Sequence, residues 1–243
     1  MGFGLLVLVF LLLLAWGGRR QTSEIVLPEN QTDSASPGED PAGVPLNTVT
    51  IDPETVASAV GVLDRPSSYS RSQVVETFWS GGSGRAVSQV HVNGPRTRLD
   101  TTLPDGSVRH MLVAEAAGPD GQTLAGIWYD DETKWTRLES GALTADMAGR
   151  MLTYETVQDL AAEEIAQADY RSAFDADCIY VETRQDEAGY VDRYWVNVRS
   201  GLLIAAERLS YGTLVYRFSA GEPELPSQEE DLFLLPDGAV LGG

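Results

Sequence analysis

From residue 72 to 138, and again from 178 to 218, short runs of β-branched and aromatic residues alternate with polar ones, and nearly every run stops at a tight turn. That succession constrains the chain more than any other feature. Connections this short join antiparallel neighbours, because a parallel pair needs a crossover of a dozen or more residues. The first group of runs is 72–79, 86–93, 97–103, 108–115, 123–129 and 134–138, separated by Gly81-Gly82, Asn93-Gly94-Pro95, Pro104-Asp105-Gly106, Pro119-Asp120-Gly121 and Asp130-Asp131. The second is 178–184, 190–198, 202–209 and 213–218, with turns at Gly189, Ser200-Gly201 and Tyr211-Gly212, preceded by a shorter strand at 168–172. Roughly eleven strands in one long meander are therefore expected. A sheet of that size twists and curls.

Two helical segments accompany it. Asp52-Pro53-Glu54 is a good helix start, since Asp accepts free N–H groups and Pro is tolerated in the first turn. Val56, Ala57, Val60 and Leu63 follow at helical spacing. Two thirds along, residues 144–162 carry Met147, Met151, Tyr154, Val157 and Ala161 at three- or four-residue steps, with Thr153 placed to cap a second short helix. The expected fold is α+β: a strongly curved antiparallel half-barrel of roughly eleven strands, with an N-terminal helix and a helical lid or plug.

The charge balance narrows the function. With 36 Asp plus Glu against 17 Lys plus Arg and a formal charge of −19, the surface repels phosphate backbones, so no nucleic acid partner is expected. Lys134 is the only lysine, and the single Cys178 excludes an intramolecular disulfide or a cysteine-rich zinc site. His91 and His110 belong to no catalytic or metal motif. His91 falls on the polar side of its strand, His110 is placed for a structural role, and Cys178 reads as a small apolar thiol inside the sheet. The acidic runs Asp130-Asp131-Glu132 and Glu229-Glu230-Asp231 lack the spaced ligands of a calcium loop and read as solvated turns. No enzyme, metal or cofactor is expected.

Residues 3–16 are uncharged and apolar, and as a helix would extend about 21 Å, against about 30 Å for a bilayer core. Residues 1–18 are thus either a membrane anchor or the hydrophobic part of a secretory signal, and cleavage after Gly17 would give a secreted form. Arg19 and Arg20 favour a cytoplasmic domain by the positive-inside rule. The long polar stretch behind them favours export, and an extracytoplasmic, membrane-anchored domain is the expectation. Residues 19–48 form an acidic tether too polar to fold, residues 49–237 the folded domain, and residues 238–243 a loose end. Leu232-Phe233-Leu234-Leu235 is expected to dock on the domain.

The segment from Tyr190 to Glu207, a strand, an Arg199-Ser200-Gly201-Leu202 turn and a second strand, resembles the lipoprotein-carrier (LolA-like) superfamily, which includes RseB-like regulators and GerS-like germination lipoproteins. The closing Phe233-Leu234-Leu235-Pro236 is similar to that family's C-terminal stretch. The resemblance implies an incomplete antiparallel barrel with a helical lid, no enzymatic activity, and an acyl chain or an envelope protein as partner. This chain has no cysteine near its N-terminus to lipidate, unlike GerS-like members, and an uncleaved anchor would prevent the release that a soluble carrier needs, so a tethered binder or regulator is expected and not a shuttle.

Candidate ligand-binding residues follow from the two helical stripes and the strand tryptophans. They are Val56, Val60 and Leu63 in front, Met147, Met151, Leu152, Val157 and Leu160 in the insert, and Trp128 and Trp195 among the strand residues Trp79, Trp128, Trp135 and Trp195. Each is either a pocket liner or ordinary core.

Overall fold

A computed structural model describes residues 49–103, 105–115, 123–130, 134–139, 152–225 and 230–242. Eleven strands form one antiparallel sheet: β1 (Ser68–Trp79), β2 (Gly82–Asn93), β3 (Arg96–Thr102), β4 (Val108–Glu115), β5 (Thr123–Tyr129), β6 (Thr136–Glu139), β7 (Ile165–Ala173), β8 (Ala176–Thr183), β9 (Tyr190–Asn197), β10 (Leu203–Ser210) and β11 (Thr213–Ala220). Their spatial order is β6-β5-β4-β3-β2-β1-β11-β10-β9-β8-β7. The expected single meander is corrected here. Two meanders, β1–β6 and β7–β11, meet where the first strand pairs with the last, Val75 opposite Phe218. Tight turns determine only sequence neighbours. The connection from β6 to β7 is not a turn, and it leaves the edge of β1 open to β11.

Short loops set the register. Tyr211 (φ 47°) and Gly212 (φ 80°) close β10 onto β11 in the left-handed conformation that a two-residue hairpin requires. Phe174 (φ 55°) and Asp175 (φ 59°) do the same between β7 and β8 without any glycine.

Helix α1 (Val56–Gly61) starts behind an Asp52 whose Oδ1 accepts the N–H groups of Glu54 (3.0 Å) and Thr55 (2.9 Å). It buries Val56, Ala59 and Val60, so Ala59 rather than Ala57 completes the stripe. In the insert, residues 144–151 lie outside those described. The rest forms only the short helix α2 (Glu155–Gln158) and a 3-10 turn at Ala162–Glu164, and Thr153 does not cap α2 with its side chain.

The face of the sheet that carries α1, called inner here, holds the main core. One cluster joins Val56, Val60 and Leu63, Val157 of α2, and inner residues of β1 and of β7 to β11, among them Val75, Val181, Val196 and Phe218. Laid flat, six strands span about 24 Å, whereas the six-residue α1 is about 9 Å long. Seating both short helices in one core across six strands curls the sheet round them. The barrel stays open, since β6 and β7 are its two edges.

The opposite, outer face is held differently. Glu182, Arg193, Glu207, Arg217, Glu76 and Arg85 stand directly opposite one another on β8, β9, β10, β11, β1 and β2, an alternating charge row across six strands. Arg193 donates to Glu182 at 2.7 Å, and Arg217 lies 3.2 Å from Glu207 and 3.9 Å from Glu76. On β3 to β5 the C-terminal segment covers this outer face instead. A 3-10 turn (Glu230–Phe233) buries Phe233, and Leu235 and Leu241 pack with Leu112, Leu124 and Trp128. The expected docking of the 232–235 patch is observed, but the loose end is not. Val240 bridges Leu234, and Leu241 is buried.

Candidate functional site

The inner face continues beyond α1 and α2. On β2 to β5, strand alternation brings Val90, Leu99, Met111, Ala125 and Ile127 into one apolar row, flanked by Val92, Val113 and Leu138. Among the described residues this cluster consists of strand side chains alone, in contrast to the helix-filled core beside it.

Between the two lies a pocket of about 250 Å³ with mixed polar and apolar walls, bounded by β1, the β2–β3 hairpin, α2 and the start of β10. Arg65 forms one wall. Its Nε donates to Gly201 O at 3.0 Å and its Nη1 to Leu63 O at 3.0 Å, and Nη2 donates to Val60 O. Two of these carbonyls close the end of α1 and the third belongs to the β9–β10 turn, so Arg65 ties the helix to that turn. The guanidinium also lies 3.4 Å from the Tyr154 ring centre, a cation–π contact that fixes α2. The turn itself is shaped by Asn197, whose Oδ1 accepts the N–H groups of Arg199 (2.8 Å) and Ser200 (3.1 Å). At Gly201 (φ 65°) a Cβ would meet Asp64 O at 2.8 Å. The Ser200-Gly201-Leu202 signature is therefore the seat of α1 against the sheet. Deeper in the pocket, Arg71 and Tyr69 project from β1. Burial raises the Tyr69 hydroxyl above the ordinary tyrosine value and lowers Arg71 below the ordinary arginine value.

The candidates named from sequence divide into three groups. Val56, Val60, Leu63 and Val157 are brought together in the core, with Leu152 and Leu160 partly buried against it. Met147 and Met151 lie outside the described residues. Trp128 and Trp195 stand on the outer face, away from α1, because each takes the opposite parity to inner neighbours, Ile127 on β5 and Val196 on β9. Trp128 is stacked on His110 at 5.2 Å beneath the C-terminal segment, and Trp195 lies against Tyr180 and Phe174. Of the other two strand tryptophans, Trp79 is 59% exposed at a hairpin tip and Trp135 donates to Asp237 at 3.1 Å.

Sequence reading missed Arg71, Tyr69 and the Val90–Leu99–Met111–Ala125–Ile127 row. A signal was present for the first: Arg71 shares the parity of Tyr69, Gln73 and Val75, so a charge points inward. It also missed the partners of His110. The ring lies between Asp100 (Nδ1, 2.7 Å) and Asp130 (Nε2, 2.8 Å), while Arg98 bonds Asp100 and the carbonyl of Leu232. That cluster clamps the C-terminal segment. Among the described residues, no group of three or more His, Cys, Asp or Glu side chains could hold a metal ion.

An open antiparallel sheet with an apolar inner face and a small pocket beside it is the class these features define. No protein-family model and no curated protein matches the sequence. Among solved structures, the chain is similar to a DUF1329 family protein from Desulfovibrio piger, at 13% identity and a TM-score of 0.41, over 74% of this chain and 95% of that one. It is similar to a LolA superfamily protein from Nitrosomonas europaea, at 14% identity and a TM-score of 0.37, over 76% and 98%. A third similar structure is MucB in complex with MucA(peri), at 18% identity and a TM-score of 0.31, over 69% of this chain and 53% of that one.

Proposed function

We propose that this chain is a non-enzymatic binding protein, tethered to a membrane outside the cytoplasm, that holds a hydrophobic ligand or a lipoprotein acyl chain against the inner face of its sheet. Residues 1–18 act as anchor or signal and residues 19–48 as the tether. The main support is the apolar row on β2 to β5, buried strand side chains that continue the inner face past the helices, so that a ligand there would lie in the interior of the domain. Apolar concave surfaces with a few polar groups at one side are the usual form of a small-molecule site. Leu63, Leu152 and Leu160 are the proposed lining next to the helices, backed by the fully buried Val56, Val60 and Val157, and the sequence adds Met147 and Met151 as candidates.

The test is organic extraction of the full chain purified in mild detergent, followed by mass spectrometry. A lipid or acylated peptide near one equivalent is expected, and it is expected to be lost in Ala125→Phe, which fills the row with a larger side chain. Protein free of lipid in both forms would reject the reading.

A second reading, an envelope protein-interaction module, has its own support. Trp79, Tyr190 and Tyr211 are exposed on loops and strand ends at one end of the sheet, as the pairings Thr77 with Tyr216 and Ser210 with Tyr190 show. Exposed aromatic residues commonly anchor protein partners. Recovery of an envelope protein without lipid, abolished by Trp79→Ser, would favour it.

A further inference from the structure

Arg71 occupies a position that its neighbours give to uncharged groups. It stands on the inner face of β1 opposite Val90, between Tyr69 and Gln73, and is 4% exposed. Its Nη1 donates to Leu203 O at 2.8 Å and its Nε has no hydrogen-bond partner. No described carboxylate forms an ion pair with it, and its guanidinium carbon stands 5.7 Å from the centre of the Tyr69 ring. A buried cation in that state costs stability, which a chain tolerates where the charge has a use.

We infer that the pocket beside it binds a phosphate group, with Arg71 as the buried anchor and the hydroxyls of Tyr69 and Thr97 as further donors. A guanidinium fork matches phosphate oxygens in a planar, two-bond geometry. Thr153 lines the same cavity, whereas the Tyr154 hydroxyl there is engaged by the Glu155 carboxylate. Arg65 adds positive charge, although its described donors are engaged by carbonyl oxygens. The volume, about 250 Å³, is below the roughly 300–1,000 Å³ of pockets that enclose drug-sized molecules. It suits a headgroup or a free anion and not a whole lipid. Glu155 also borders the cavity, but its side chain is exposed and water screens it, whereas Arg71 is shielded. The assignment does not require the apolar row to hold an acyl chain.

The test is calorimetric titration of the full chain in dodecyl maltoside with inorganic phosphate and, separately, with dihexanoyl-phosphatidylglycerol. One-to-one binding of at least one probe is expected. Tighter binding of the lipid identifies a headgroup site, and equal or weaker binding identifies a site for free phosphate. Arg71→Met should weaken binding roughly tenfold or more, the usual loss for a charged hydrogen bond. Without ligand it should melt at or above the temperature of the unmodified protein, because a buried, unpaired charge is gone. Tyr69→Phe should weaken binding severalfold, and Glu155→Gln should strengthen it. Failure of both probes to bind at millimolar concentration would overturn the assignment. So would unchanged binding in Arg71→Met, or, should that variant not fold, in Tyr69→Phe. Phosphate binding by protein that carries no extractable lipid would sustain it while rejecting the hydrophobic-ligand reading.

Discussion

Cys178 shows how one side chain records its surroundings. The thiol is fully buried on β8, and burial pushes it up to about 11 from an ordinary 9.0, with Asp177 adding to the shift. The folded state therefore favours the neutral thiol. Its contribution to stability is complete below that ordinary value of 9.0 and is lost as pH rises through about 11. Iodoacetamide at pH 8 is expected to label the native protein far more slowly than the urea-unfolded one, measured by mass spectrometry; equal rates would show that the thiol is reachable. The plain sequence reading of this residue, a small apolar group in a sheet, is the one the structure supports. The tryptophans were less legible. Alternation states that Trp195 and Val196 face opposite ways, but both faces of β8 and β9 carry apolar residues, so composition does not say which side meets the helices.

At the scale of elements, Gly126 explains why the C-terminal segment can lie on β5. A Cβ there would meet Leu235 Cδ2 at 2.8 Å, with Trp135 and Leu241 next nearest. Gly126→Val is expected to lift the segment at a cost of about 1–3 kcal/mol, the range for an overpacked core. Limited proteolysis after residue 230 and a red-shifted Trp128 emission would report it, and an unchanged digest would count against this packing. Strands were the most legible elements, because period-two alternation and turn residues agree at nearly every hairpin. The Phe174–Asp175 turn was not legible. Asp175 tolerates positive φ but Phe174 does not favour it, and it is the edge-on contact of Phe174 with Trp195 at 5.7 Å that accompanies the turn in the fold.

For the whole molecule, the pairing of β1 with β11 matters most, and it was invisible in the sequence because nothing local encodes a partner so far along the chain. Phe218 sits at that seam, fully buried, facing Val75 on one side and Ala206 on the other. Phe218→Ala is expected to destabilise the protein by about 3–5 kcal/mol. Because the core around Phe218 spans the seam, circular dichroism and tryptophan fluorescence should still report one shared melting transition; two separate melts would mean that the meanders fold independently. The same remoteness explains why the inner row of β2 to β5 escaped sequence reading: its members become a surface only once the strands lie side by side.

That seam also sets an order of events during synthesis. The ribosome releases β1 early and β11 late, so the inner edge of the first meander waits, unpaired, until nearly all of the chain has emerged. Anything that delays the last strand leaves a hydrogen-bonding edge exposed to other chains. A truncation shortly before Thr213 would thus produce a sticky protein rather than a merely shortened one.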